Sequence, residues 1–176
     1  MLNTKTPYPI IEKMIEELDV NDEHSVLEPS AGEGDIVERL KEKNINNIKT
    51  FELNKDNRNI LKNKNIEILG HDFLKVSNLE QRKLFLSFDR IIMVPPYKDF
   101  ADIEHIRCAY ELYLRDKDSI LVSLTLPVWI NSNHSKANEF KNFLSKVNHK
   151  LIILDQNVYE EGIFSMPYVL LKIQND

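Results

Sequence analysis

The chain has 176 residues, 42% of them hydrophobic and 29% charged, with a formal net charge of −5. That balance suits one compact core, excludes the composition of a disordered tail, and leaves no overall positive field to hold a polyanion. A single cysteine, Cys108, excludes an internal disulfide and a thiolate zinc site, so a reducing, cytoplasmic setting is expected.

The first eighteen residues lack the apolar run of a signal peptide. The most apolar stretches, Ile120–Ile130 and Tyr168–Leu171, are too short to span a bilayer, so no membrane partner is expected. Ile10, Ile11, Met14, Ile15 and Leu18 follow helical spacing after Pro9, which predicts a first helix. A strand at Ser25–Glu28 then stops at Pro29, a glycine turn follows, and Ile36, Val37 and Leu40 predict a second helix. The alternation continues with a strand near Ile48–Leu53, a helix near Lys55–Lys62, and strands at Ile66–Leu69 and Phe88–Val94. Beyond Pro95 and Pro96 the pattern predicts a helix at Asp102–Leu114, a strand at Ser119–Leu126, a helix at Ala137–Val147, and strands at Leu151–Leu154 and Tyr168–Ile173.

Strands alternating with helices predict an α/β domain over residues 1–176, with a mainly parallel sheet of seven strands covered by helices on both faces. With no helix between the last two strands, Tyr168–Ile173 is free to return as an antiparallel partner. Ligands in such sheets bind beyond the carboxyl ends of the strands, which directs attention to three loops.

The first loop reads Glu28-Pro29-Ser30-Ala31-Gly32-Glu33-Gly34. Its glycines permit close backbone approach to a ligand carboxylate or phosphate at a helix start, and equally suit a plain tight turn. Glu52 ends the second strand, where a carboxylate can accept both hydroxyls of a ribose or merely face solvent. Asp72 and Phe73 follow the third strand and offer an acceptor and an aromatic face, or a capped turn with Phe73 in the core. A basic run from Lys41 to Lys64 reads as a solvated face.

Together these loops resemble the class I S-adenosylmethionine-dependent methyltransferases, and the resemblance runs through nearly the whole chain as one Rossmann-like domain without a separate target-recognition domain. It implies S-adenosylmethionine as cofactor, with its methionine end at Glu28, Ser30, Ala31, Gly32 and Gly34, its ribose at Glu52, and its adenine at Asp72 and Phe73. Thr6 and Pro7 resemble a segment that helps close the pocket in amino-methyltransferases. No metal is implied, and no histidine pair has ligand spacing.

Val94-Pro95-Pro96-Tyr97 closes a strand and is similar to the fourth motif of methyltransferases acting on planar amines, notably small phage- and plasmid-type adenine-specific DNA methyltransferases. That motif implies two acceptors for the amine N–H bonds, a side-chain oxygen at position 94 and the Pro95 carbonyl, with Tyr97 stacking on an extruded base. Val94 carries no acceptor, a loss worth roughly 3–4 kcal/mol by comparison with removal of one preorganised polar group. The resemblance therefore implies either methyl transfer to adenine in DNA or RNA or a silent subunit working with a partner, and, as a third alternative, methylation of a protein glutamine amide. Nucleic acid is expected to bind weakly to the chain alone, with a protein partner as the source of sequence specificity. His105 and Cys108 read as packing residues, and Trp129 as a packing residue that borders the substrate entrance.

Overall fold

The computed structural model describes residues 5–75, 87–115, 117–154 and 168–175. In chain order the elements are α1 (Tyr8–Leu18), β1 (Val26–Glu28), α2 (Asp35–Glu42), β2 (Ile48–Phe51), α3 (Lys55–Asn63), β3 (Ile68–Gly70), β4 (Arg90–Met93), α4 (Ala101–Tyr113), β5 (Ser119–Thr125), α5 (Ser135–Leu144), β6 (His149–Ile153) and β7 (Val169–Asn175). Seven strands form one sheet in the order β3-β2-β1-β4-β5-β7-β6. The pairs from β3 through β5 are parallel, and β7 runs antiparallel to both of its neighbours.

Side chains of the central strands alternate between two cores because the strand period is two. Val26, Ile92 and Val122 face α1, α2 and α3, whereas Leu27, Ile91 and Leu121 face α4 and α5. All residues of β1, β4 and β5 are buried, the pattern of strands covered on both faces. Among them, Arg90 is accommodated because its guanidinium donates to the carbonyls of Asp19, Asp89 and Asp118 at 2.8–2.9 Å, tying the amino end of the sheet together.

Element boundaries shift where local hydrogen bonds compete with the ladder. Ser25 leaves the first strand because its N–H and hydroxyl donate to Asp89 at 2.9 and 2.6 Å. The third strand begins at Ile68 rather than Ile66, whose N–H closes α3 on the Leu61 carbonyl at 2.9 Å. No helix among the described residues is long and apolar enough to cross a membrane.

Sheet order reverses between β1 and β4. The chain leaves β1 toward β2 and β3, then returns to place β4 on the other side, so a crevice opens beyond the carboxyl ends of β1 and β4.

Candidate active site

A cavity of about 170 Å³ occupies that crevice, lined by Lys5, Thr6, Glu28, Ser30, Ala31, Gly32, Glu33, Asp35, Ile36 and Val94. Strand alternation puts Glu28 on the α1 side of β1, two residues beyond Val26, and leaves it 1% exposed. Its Oε2 and the Oγ of Ser30 are buried without a hydrogen-bond partner among the described residues. Burial, and secondarily Glu52 and Asp35, push the Glu28 carboxyl up to about 8. An orphaned buried acid of this kind calls for a donor or a cation from outside the chain.

The glycine loop divides two tasks. Gly34 has φ +94° and packs so closely that a Cβ would lie 2.8 Å from Ile66 Cδ1 and 2.9 Å from Leu61 Cδ2. Gly32 has φ +55° with no atom within 4 Å of its Cβ position, so backbone faces open space there. α2 starts at Gly34 without a side-chain cap, leaving its first-turn N–H groups to the cavity side.

Glu52, 8% exposed, reaches across from the end of β2: its Oε2 accepts from Gly32 N–H and its Oε1 from Asn54 N–H, both at 2.7 Å. Beside it Leu53 is 68% exposed, an apolar side chain standing in solvent at the ligand edge. Asp72 accepts from Lys75 N–H at 3.3 Å and pairs with its ammonium at 3.2 Å. Phe73 is turned into the core, 3% exposed, against Phe51, Tyr113 and the His105 ring, so it offers no free aromatic face and the capped-turn reading describes it.

The structure thus brings Thr6, Glu28, Ser30, Ala31, Gly32 and Val94 to one cavity and ties Glu52 to it. Pro7 caps α1 through its carbonyl, Gly34 packs inward, and Asp72 stands on the neighbouring loop. Pro95 is buried, and Tyr97 lies 6.0 Å from the Tyr168 ring and lines a second cavity. Sequence reasoning missed Lys5, Glu33, Asp35 and Leu53. Lys5 pairs with Glu33 at 3.4 Å and Asp35 at 3.5 Å, so the lining carries three carboxyl groups against one ammonium and suits a cation better than a phosphate. In the basic run Lys43 pairs with Glu12, Lys49 with Glu67 and Lys64 with Glu38, while Lys41 and Arg58 donate to backbone carbonyls.

S-adenosylmethionine fits this donor set: its ammonium and sulfonium match the acid-rich lining, its carboxylate the Ser30 hydroxyl and the start of α2, and its ribose the Glu52 carboxylate. No protein-family model and no curated protein sequence matches the chain. Solved structures do. A methyltransferase subunit of a type I restriction-modification system from Streptococcus thermophilus superposes with a TM-score of 0.75 at 15% identity, over 99% of this chain and 45% of that one. Precorrin-6y C5,15-methyltransferase from Geobacter metallireducens gives 0.67 at 14% over 100% and 92%, and the 23S rRNA methyltransferase ErmE 0.64 at 14% over 97% and 69%. The chain spans under half the length of the restriction-modification subunit. Strand order, antiparallel β7, the switch-point cavity and these superpositions together identify the fold as the Rossmann-like fold of class I S-adenosylmethionine-dependent methyltransferases.

Proposed function

We propose that the chain is an S-adenosylmethionine-dependent methyltransferase whose acceptor is the exocyclic amino group of adenine in DNA or RNA. The observation that carries this reading is the adjacency of the acid-lined cavity to Pro95-Pro96-Tyr97 through Val94, which lines it. The bound cofactor would supply an electrophilic methyl group on a sulfonium. Glu28 and Asp35 would hold the ammonium, and the Ser30 hydroxyl with the first-turn N–H groups of α2 the carboxylate. Glu52 would accept from ribose hydroxyls, Asp72 from the adenine amine, and Leu53 would cover the adenine ring. On the acceptor side the Pro95 carbonyl would take one amine N–H, localising the nitrogen lone pair, and Tyr97 would stack on the ring.

A second reading, a silent subunit that keeps the fold for a partner, is favoured by one observation. Val94 projects to the cofactor cavity without a polar atom. Incubation with tritium-labelled cofactor and DNA, RNA or protein separates the readings: label on nucleic-acid adenine supports the first, and cofactor binding without label on any acceptor supports the second. Label on protein glutamine would move the acceptor to an amide.

A further inference from the structure

Beyond the end of β5 a second cavity, of about 230 Å³, has Tyr97, Phe100 and Trp129 in its wall together with Asp99 and Asp102. No lysine or arginine lines it among the described residues. Asp102 is 3% exposed, and its Oδ2 accepts the hydroxyl of the fully buried Thr125 at 2.5 Å. The Trp129 indole N–H donates to that same Thr125 oxygen at 3.3 Å. A carboxylate, a hydroxyl and an indole therefore form one chain that fixes the acid and an aromatic wall together.

The backbone between Tyr97 and α4 is strained. Asp99 and Phe100 have φ +57° and +62°, two successive non-glycine residues in the left-handed region, which a phenylalanine adopts only when its surroundings demand it. The turn sets the Phe100 ring against His134 at 5.1 Å, and Phe100 and Asp102 both line the cavity.

We propose that this cavity receives the acceptor ring and that Asp102 selects its chemistry: a planar amine, whose N–H donors can face the acid, over a planar ring that presents a carbonyl there. Two carboxylates and no cation among the described residues of the wall disfavour an anionic acceptor ring. The proposal rests on the amine-methyltransferase reading, but its test reads acceptor recognition separately from cofactor binding.

Trp129 is the single tryptophan of the chain, so intrinsic fluorescence reports on this cavity directly. Adenosine and inosine differ by an amine and a carbonyl at the same ring position. With S-adenosylhomocysteine present, adenosine is expected to quench at about tenfold lower concentration than inosine, the scale of one hydrogen bond to a charged group. Asp102→Asn, whose amide offers a donor as well as an acceptor, is expected to narrow that ratio while S-adenosylhomocysteine binding, followed by calorimetry, persists. Equal quenching by the two nucleosides, no quenching by either at millimolar concentration, or an unchanged ratio in a folded Asp102→Asn overturns the proposal. The wild-type ratio alone decides if the variant does not fold. Loss of calorimetric binding in the wild type instead strikes the cofactor reading.

Discussion

The Oε2 atom of Glu52, at the end of β2, accepts the backbone N–H of Gly32, beyond the end of β1, at 2.7 Å. This bond joins two ligand-edge loops and aims a carboxylate at the place where the glycine backbone is open. Replacing Glu52 with Ala leaves the N–H groups of Gly32 and Asn54 without this partner and should destabilise the protein by about 1–3 kcal/mol while weakening cofactor binding. Urea unfolding and calorimetry, run on the same variant, measure the two effects separately.

Glu28 ties stability and binding to pH. Its carboxyl sits at about 8 in the folded protein against an ordinary 4.5, so between those values the folded state holds a proton that the unfolded chain releases. Stability therefore falls as pH rises from 4.5 through about 8. A bound ammonium favours the ionised carboxylate, so cofactor binding below pH 8 should release a proton and tighten as pH approaches 8. Glu28→Gln should flatten the stability slope and abolish the proton release, read as calorimetric heats in buffers of different ionisation enthalpy.

The two loop glycines should fail in different ways. Gly34→Ala drives a Cβ against Ile66 and Leu61 at positive φ and should cost about 1–3 kcal/mol of stability. Gly32→Ala meets no atom, so its stability cost is the left-handed strain of about 1–2 kcal/mol, and its larger effect should be on cofactor affinity, because the methyl group fills space the ligand needs. Thermal melts with and without S-adenosylhomocysteine distinguish the patterns.

Val94→Asn adds an acceptor beside Pro95. If the wild type is slowed by that missing group, the variant should raise adenine methylation by up to roughly a hundred- to a thousand-fold. An already efficient wild type with an unchanged Val94→Asn rate would mean that the Pro95 carbonyl and Tyr97 suffice.

Much of this architecture is legible in the sequence because it follows from local pattern. The apolar runs Ile91–Met93 and Ile120–Val122 announce strands buried on both faces, and the lack of a helical pattern in the sequence before Tyr168 leaves β7 free to reverse, as it does. Glu28 and Gly32 are legible because a strand end and a glycine turn fix them with little help from the rest of the chain. What escaped depends on contacts distant in sequence. Phe73 turns inward because Phe51 and Tyr113 provide a place for its ring, and Leu53 stays exposed because its strand has already ended at Phe51. Asp102 reads as an ordinary first-turn acid until β5 brings Thr125 against it.

Calorimetric titration of the purified protein with S-adenosylhomocysteine tests the central claim most directly. The account predicts one-to-one binding, weakened in Gly32→Ala and Glu52→Ala. Absence of both heat and thermal shift at millimolar ligand would contradict it.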